Sequence, residues 1–257
     1  MQIDIRSNVR QVSAWLDEAQ RQQLPFATAL AMTRTAQDVK SEEISVMKRV
    51  FDRPTNYTLN ALFVRPATKR DLIASVEFKE FAGKGTPAKR FLNPEVYGGG
   101  RSRKSHERRL AGFMQGASYT AIARGYPRDA HGNIPGSTYV RILSQLGASA
   151  DPAQNATGSR RSKAKRAKSR YFIPVSGGGL KPGVYERISS SSSGEKRQKG
   201  VRKPKDKVRG VLMFVRPPHY AKRFPFHETG AAVVAERFDD NFKAAFQFAM
   251  GTAKTPK

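Results

Sequence analysis

The sequence contains no cysteine, so disulfide bonds, thiolate catalysis and zinc–thiolate sites are all excluded by count. Long apolar runs are also missing, since runs such as VLMFV at 211–215 fall far short of the roughly 20 residues that span a membrane. The first residues, MQIDIRSNVR, carry charge where a signal peptide is apolar. We therefore expect a soluble protein of a cytoplasm or of a particle, without export or membrane association.

Acidic residues are scarce. The 257 residues include 21 Asp and Glu against 47 Lys and Arg, which gives a formal net charge of +26 and a pI near 10.7. Such an excess of positive charge is typical of proteins that contact nucleic acid. Hydrophobic residues make up 38 % of the chain, which is enough to form a core, so the protein is more than a basic tail.

The positive charge recurs in three clusters, at residues 101–109, 159–170 and 196–207. A charged run is often only a solvated surface. Its recurrence in so basic a chain favours sequence-independent contact with nucleic acid or with an acidic protein surface. The candidate contact residues are Arg101, Arg103, Lys104, Arg160, Arg161, Lys163, Lys165, Arg166, Lys168, Arg170, Lys196, Arg197, Lys199, Arg202 and Lys203.

The N-terminal third predicts two helices followed by a hairpin. Ser7 can cap the first helix, which has its apolar positions on one face and ends at the polar run QRQQ. Leu24-Pro25 opens a longer second helix, because proline is tolerated in a first turn. Apolar positions on the second helix form a narrow stripe of mostly small residues, which suits close packing of another helix: Ala29, Met32, Ala36, Val39, Val46 and Val50.

A turn is expected where this helix ends. Pro54 disfavours the helical conformation at Arg53, and Thr55 can cap a short helical turn over residues 56–60. The two apolar segments that follow, LFVRPA and DLIASVEF, predict a β-hairpin. Arg53, Pro54 and Thr55 should therefore shape the turn that places the hairpin.

The rest of the chain mixes loops, arms and short elements. Residues 83–100 are rich in Gly, Pro and basic residues and predict a loop or arm, a helix is expected over 102–123, and residues 125–137 should form a loop. Residues 138–148 fit either a helix or a strand. Two short strands are expected within 171–188, a clear strand at 210–216 and a closing helix over 229–250.

These elements predict an α+β fold, in which long N-terminal helices and a C-terminal helix pack on a small, mainly antiparallel sheet with extended basic loops or arms. We expect one domain with insertions. Its core segments are residues 1–82 and 208–257, and between them lie a loop and helix insertion at 83–150 and basic, Ser- and Gly-rich arms around short strands at 151–207.

The sequence contains no recognisable catalytic signature. The four histidines lack the HExxH spacing, and GKGT at 83–86 lacks the spacing of a phosphate-binding P-loop. His227 and Glu228 could join Asp239 and Asp240 in a metal-dependent nuclease site, although a histidine beside an acid at a helix start is more often a solvated or capping arrangement. We expect no enzyme activity, no metal and no cofactor.

Three blocks of the sequence together resemble one family. PFATALAMTRTAQDVKSEEISVMKRVFDRPTNYTLNALFVRPATK resembles the N-terminal half of minor tail proteins of the Z type from phages and prophages. RFLNPEVYGGGRSRKSHERRL resembles a second block in which NPxVxGGxR precedes a basic helix. PGVYERI, followed by VLMFVRPPHYAKRFPFHETGAAVVAERFDDNFKAAFQFAM, resembles the closing strand, Pro-rich turn and helix of the family.

The resemblance implies a structural protein of a bacteriophage virion, acting in tail completion or head–tail joining. It implies an oligomeric ring of this chain that forms or binds the neck around the DNA channel. Its expected partners are the portal or connector, tail terminator or tail tube proteins, with DNA in the channel lumen as a further candidate. The protein would lie in the virion tail or neck, and in the host cytoplasm during assembly. The alternative from the residues alone is a stand-alone, non-specific nucleic-acid-binding module.

Overall fold

The computed structural model describes residues 9–83, 85–114, 116–155, 170–175, 179–188 and 207–252, with side chains for all of these except 9–20 and 22. The chain divides into two compact units. Unit 1 comprises residues 1–82, 87–96 and 222–257, and unit 2 comprises residues 83–86 and 97–221. The strand predicted at 210–216 therefore belongs with the basic segments and not with the closing helix.

Unit 1 is built on one long helix, α1 (Val9–Val50). The prediction of two helices is wrong, because the chain continues through Pro25 without a break. A proline inside a helix removes only its own N–H bond and crowds one carbonyl. Here helix-forming residues such as Gln, Leu and Ala flank it on both sides. With 42 residues, α1 is about 63 Å long.

The closing helix, α6 (Phe226–Gly251), runs antiparallel to α1. Phe248, near its end, lies 6.4 Å from Phe26, measured between ring centroids. Midway, the Asn241 side-chain amide donates to Thr35 Oγ1 at 3.1 Å and to Asp38 Oδ2 at 2.7 Å. The predicted stripe of small residues is confirmed as core, since its members Ala29, Ala36, Val39 and Val46 are all buried.

The predicted turn and hairpin follow α1. Arg53 has a φ of 47°, and Thr55 caps the short helix α2 (Asn56–Leu59) by accepting a hydrogen bond from the Thr58 N–H. Strands β1 (Leu62–Arg65) and β2 (Ser75–Phe78) then pair antiparallel, so the prediction of a hairpin is confirmed.

Helix α3 (Ala88–Tyr97) corrects the prediction of a loop over 83–100. Ala88, Leu92 and Val96 are spaced by four and are all buried in one core cluster with Met47 and Phe224. The Gly- and Pro-rich residues flank this helix, apart from Pro94 inside it, and they outweighed its short apolar pattern in the sequence.

Unit 2 contains a four-stranded antiparallel sheet in the order β4 (Tyr119–Ile122), β7 (Lys207–Val215), β6 (Gly183–Ile188) and β5 (Tyr171–Phe172). A β-bulge interrupts the pairing of β6 with β7, where Val184 faces Leu212 and Tyr185 faces Gly210. The strands predicted within 171–188 and at 210–216 are confirmed. Two residues each from β3 (Gly99–Gly100) and β8 (His219–Tyr220) form a separate small pair.

Two helices complete unit 2. Helix α4 (Ser105–Leu110) is much shorter than the helix predicted over 102–123, because the chain turns at Gly116 (φ 70°) and residues 119–122 pair with β7 instead. Helix α5 (Gly136–Leu146) resolves the ambiguous segment 138–148 as a helix. Its Ile142 packs in a core cluster with Leu110, Val184, Val211 and Leu212 of the sheet and α4.

The predicted α+β class is confirmed by the six helices and small antiparallel sheets of the described residues. None of these described helices is both long enough and apolar enough to cross a membrane.

Candidate functional site

Glu186 lies in the middle of the unit 2 sheet and is fully buried. It faces Arg209 across the β6–β7 pair, and the Arg209 guanidinium donates to its Oε2 at 2.7 Å. Arg170, next to β5, donates to the other carboxylate oxygen. A buried carboxylate is stable as an ion only when its oxygens are bonded and its charge is balanced. Two guanidinium groups on one carboxylate meet this need. The three side chains, Arg170, Glu186 and Arg209, together carry a net positive charge.

Arg170 and Arg209 belong to a larger group of cations at one end of the sheet. The Arg187 N–H donates to the Arg170 carbonyl oxygen at 2.7 Å, which places these two residues on adjacent strands. Lys207 begins β7 and pairs with Ile188 at the end of β6. We call Arg170, Arg187, Lys207 and Arg209 the basic end of the sheet.

Two of the three basic clusters of the sequence attach to this basic end. Residues 156–169 lead directly into Arg170. Residues 189–206 join Ile188 to Lys207, which are paired with each other. Together the two segments carry twelve Lys and Arg against two acids. Segments that are separated along the sequence therefore join unit 2 side by side.

Aromatic rings at the basic end are covered by its arginines. The Arg187 guanidinium lies 4.5 Å from the ring centroid of Phe172, and that of Arg209 lies 4.9 Å from the ring of Tyr126. Stacking of this kind fixes the direction of a guanidinium and stabilises it by cation–π attraction. The same contacts leave these ring faces occupied by protein.

Among the predicted contact residues of these two clusters, Arg170 is the one that the structure describes. Its side chain is 57 % exposed although it binds Glu186, so part of the guanidinium faces solvent. The following residues lie outside the described part of the chain: Arg160, Arg161, Lys163, Lys165, Arg166, Lys168, Lys196, Arg197, Lys199, Arg202 and Lys203.

The third basic cluster, at residues 101–109 around α4, is only partly exposed to solvent. Arg101 forms two bonds to the buried Glu107, at 2.6 and 2.8 Å, and its side chain is only 11 % exposed. This placement argues against the predicted phosphate contact by Arg101, because its donors are engaged inside the unit. Arg103 and Lys104 are exposed, as a surface contact requires, and Arg103 donates to Ser118 Oγ at 3.0 Å.

Glu107 is held as an anion by its surroundings. Burial works to raise the pKa of this carboxyl, but hydrogen bonds from Arg101 and from the N–H groups of Thr120 and Lys104 outweigh burial and lower the pKa to about 2. Neighbouring His106 stacks on Tyr139, with 4.3 Å between ring centroids. Desolvation lowers the pKa of His106 to about 4, so its ring is neutral at pH 7.

Sequence reasoning missed Arg187, Arg209 and the roles of the buried acids Glu107 and Glu186. Lys207 lay in the basic cluster at 196–207 but was not among the candidate contact residues. Glu186 did carry a signal, since it is the only acid in the strand VYERI and stands two residues from Val184. An acid on the inward side of a strand requires a cation opposite it. The identity of that cation depends on pairing between strands and could not be read from the sequence.

Unit 1 contains a groove of about 530 Å³ between α1, α6 and β2. Its walls are mainly apolar and include Met32, Val39, Val76, Phe226, Val234 and Phe238. Phe238 and Phe242 stack one helical turn apart along α6, with ring centroids at 6.1 Å, and Val234 is 46 % exposed. Exposed apolar side chains on such a groove are suited to contact with another protein surface.

Glu43 lies one turn of α1 beyond Val39 and is fully buried, with no hydrogen bond to either carboxylate oxygen. Desolvation, with smaller contributions from the charges of Glu42 and Glu228, raises its pKa to about 8. At pH 7 the folded protein therefore holds this carboxyl mainly in its neutral form.

The residues of the possible nuclease site do not converge. Glu228 binds Lys222 at 2.6 Å, and Asp239 lies twelve residues beyond His227 on the same helix, about 18 Å along its axis. Among the described residues, no three His, Asp or Glu side chains are grouped so that they could hold a metal ion.

Comparison with known proteins gives no assignment. No family model matches the chain, and neither the curated proteins nor the solved structures that were searched include a match. The resemblance to minor tail proteins therefore stays a prediction.

Proposed function

We propose that this protein is a structural component of a bacteriophage tail or head–tail neck, which forms or binds a ring around the DNA channel. The observation that carries the proposal is the uneven distribution of charge. Unit 2 contains 27 of the 47 Lys and Arg residues and only six acids, and Glu107 and Glu186 among those acids are already bound to arginines inside the unit. A surface of this kind fits a protein that works against DNA or against acidic neck proteins.

Self-association is the part of the proposal that rests on unit 1. We assign the apolar groove to a second copy of this chain, in the head-to-tail contact between unlike surfaces that a closed ring requires. Charge complementarity supports this choice, because α6 carries four exposed acids against two cations, Arg237 and Lys243, in a chain that is otherwise strongly basic. The acids are Glu228, Glu236, Asp239 and Asp240, of which Asp240 and Glu236 lie near those two cations and Glu228 binds Lys222. Portal or connector, tail terminator and tail tube proteins are the other proposed partners.

The proposal includes no enzymatic activity and no cofactor. The separation of His227 from Asp239 along α6 supports this part, since a nuclease needs its acids to converge on one metal ion. The proposed location is the virion tail or neck, after assembly in the host cytoplasm.

Fractionation of intact, nuclease-treated phage particles tests the proposal. Peptide mass spectrometry of tails and necks should find this chain at a fixed copy number in each particle. Absence from purified particles would overturn the structural role.

The second candidate function is a stand-alone nucleic-acid-binding module, which is favoured by the joining of two basic segments at one end of the unit 2 sheet. Salt dependence separates the two functions. A ring component should bind other copies of itself, or a neck protein, in moderate salt. A free DNA binder should lose affinity for DNA steeply as the salt concentration rises, and it should have no protein partner. Size-exclusion chromatography with light scattering at 0.05 and about 0.3 M salt measures this difference.

A further inference from the structure

We propose that Phe113 of one copy of this chain docks in the apolar groove of unit 1 of a second copy, with Arg108 and Arg109 facing the acids of α6 there. The inference rests on the proposed function and deepens it, because it names the surface that meets the groove in the head-to-tail contact. It is argued from the described residues around the groove in unit 1, and from those of α4 and the 3₁₀ turn that follows α4 in unit 2.

The first step is the groove itself, which suits a bulky apolar side chain. Its volume is about 530 Å³, and its walls include Val234 and Phe238 of α6 and Met32 of α1. Val234 is 46 % exposed, so apolar surface of the groove is in contact with water when the chain is alone. An enclosed aromatic side chain buries about 150–250 Å² of surface, which makes a phenylalanine of the partner a fitting occupant.

The second step is an exposed phenylalanine on the other unit. Phe113 ends the 3₁₀ turn Ala111–Phe113, which continues directly from α4. It is 39 % exposed, and in the described part of unit 2 it is the only exposed phenylalanine. Leu110 and Met114, on either side of this turn, are buried in the core of the unit. These two anchors fix the turn, so Phe113 can bind without a large loss of conformational entropy.

The third step is the charge beside Phe113. Arg109 lies four residues earlier, about one helical turn away, and Arg108 is its neighbour in α4. Both arginines are exposed, and neither is paired with an acid among the residues that the structure describes. The aromatic ring is therefore accompanied by two cations that are available to a partner.

The groove carries the opposite charge on α6, whose exposed acids outnumber its cations by two. Asp239 directly follows Phe238, which lines the groove, and Asp239 has no cation partner within the described ranges. The other three acids lie near cations of unit 1. Opposite charges across a contact speed association and disfavour wrong orientations, so they favour the orientation in which α4 faces α6.

The fourth step is the symmetry of the contact. The groove lies on unit 1 and Phe113 lies on unit 2, so every copy has both surfaces and the contact joins unlike ones. Contacts of this kind repeat from copy to copy, and they close into a ring or continue as a filament. A second copy is therefore a sufficient partner, and no other protein is needed for the contact to form.

Crosslinking between single-cysteine variants locates the contact. The chain has no cysteine, so Ala111→Cys and Ala235→Cys each introduce one exposed thiol, and both keep Phe113 and the lining of the groove. Mixed in equal amounts and treated with a short bismaleimide, the two variants should give at least about fivefold more covalent dimer than either variant alone. Because each chain has a single thiol, a contact within one chain cannot produce this dimer.

The control mixture pairs Ala235→Cys with Val175→Cys. Val175 is 86 % exposed and follows β5, at the opposite edge of the sheet from β4. Exposure alone would favour the control, whereas the proposal expects the control to give no more dimer than the single variants. Equal crosslinking in the two mixtures, or none in the first, would overturn the proposal.

Sedimentation velocity of the full chain measures the strength of the contact. Phe113→Ala and Arg109→Glu should each weaken self-association at least about tenfold, and Lys181→Glu, at an exposed cation elsewhere in unit 2, less than about threefold. Adding Asp239→Arg to Arg109→Glu restores opposite charges across the contact, so the double variant should recover to within about threefold of the unchanged chain. No loss in Phe113→Ala, no recovery in the double variant, or an unchanged chain that stays monomeric would overturn the proposal.

These tests are distinct from the test of the proposed function. A chain that associates in another way but is found in phage particles at a fixed copy number would keep the structural role and refute this contact. A chain that passes the crosslinking and sedimentation tests but is absent from particles would keep the contact and refute the structural role.

Discussion

Two buried carboxyl groups, Glu43 in unit 1 and Glu107 in unit 2, lie in opposite surroundings. Unit 1 buries Glu43 with no hydrogen bond to either oxygen, and its pKa rises to about 8. Unit 2 buries Glu107 among an arginine and two backbone N–H groups, and its pKa falls to about 2. Burial raises the pKa of both carboxyls, so the difference lies in the donors that the fold provides.

The contrast also bears on the charge of each unit. In unit 2, Glu107 and Glu186 hold Arg101, Arg170 and Arg209 in fixed positions, so part of the large cationic excess is used to build the fold. In unit 1, the neutral form of Glu43 adds no charge to a core of apolar and small side chains. The contributions of Glu43 and Glu107 to stability should consequently change with pH in opposite directions, which the predictions below test.

The largest effect is expected for Glu107→Gln in unit 2. The substitution removes the charge that balances Arg101 inside the unit, and it replaces one acceptor oxygen with an amide NH2 group, which is itself a donor and faces the donors of Arg101, Lys104 or Thr120. We expect a loss of about 3–5 kcal/mol in the free energy of unfolding at pH 7. Denaturant unfolding followed by circular dichroism measures the loss, and hydrogen exchange in β4 and α4 assigns it to unit 2.

The pH dependence of this effect has a definite sign. Because the folded pKa of Glu107 is about 2, below the ordinary 4.5, its stabilisation is fully present above pH 4.5 and is lost as the pH falls through 2. The difference in the free energy of unfolding between Glu107→Gln and the unchanged protein should shrink as the pH falls from 4.5 to about 2. The control Glu236→Gln, at an exposed acid of α6, should show little change at any pH. An equal loss in both variants would contradict the role given to the Arg101–Glu107 pair.

The second effect has the opposite sign and lies in unit 1. The folded pKa of Glu43 is raised, so the protein is stable with the neutral acid below pH 4.5 and loses stability as the pH rises toward about 8. Glu43→Gln keeps the shape and removes the charge. We expect it to stabilise the protein by on the order of 3 kcal/mol at pH 9 and to have almost no effect at pH 4.5.

Thermal unfolding of the Glu43→Gln variant at the two pH values measures this difference, with Glu42→Gln, at the neighbouring position, as the matched control. A Glu43→Gln variant that is less stable than the unchanged protein at pH 9 would mean that the ionised carboxylate has a partner, and would remove the contrast between Glu43 and Glu107.

Local patterns predicted much of this fold, whereas its long-range pairings could not be predicted. The hairpin, β7 and α6 carried clear periodicity and were expected at nearly their observed positions. Helix α3 was missed because its apolar residues repeat only twice between Gly- and Pro-rich flanks. The segment at 119–122 was expected to be helical and became β4, because pairing with β7 decides its conformation.

The same distinction applies to the candidate site. Its charge was evident from the sequence, as were Arg170 and the two basic segments. The basic end exists because Ile188 pairs with Lys207 and because Arg170 bonds to Arg187, and both contacts join residues that are distant along the chain. Arg101 shows the converse, since its sequence neighbours suggest a surface cluster and only the fold places it beside Glu107.

The third effect probes whether two arginines on one carboxylate are redundant. Arg209→Gln leaves Glu186 bonded to Arg170, so the buried carboxylate keeps one cation. We expect the free energy of unfolding to fall by about 1.5–3 kcal/mol, the usual contribution of a hydrogen bond to a charged group. Replacing both arginines should cost more than the sum of the single changes, because Glu186 would then resemble Glu43. Denaturant unfolding of the single and double variants measures this coupling, and additive losses would contradict it.

The smallest effect is expected at the exposed ion pair of α1. Arg49 contacts Glu42 at 3.1 Å, with 70 % of the Arg49 side chain and 41 % of the Glu42 side chain exposed. Water already solvates both groups, and holding two long side chains together costs conformational entropy, so Arg49→Gln should change the free energy of unfolding by less than about 0.5 kcal/mol. Denaturant unfolding at low and at about 0.5 M salt measures it, and any effect should be smaller at the higher salt. A loss as large as that of Glu107→Gln would show that exposure does not separate the strong ion pairs of this protein from the weak ones.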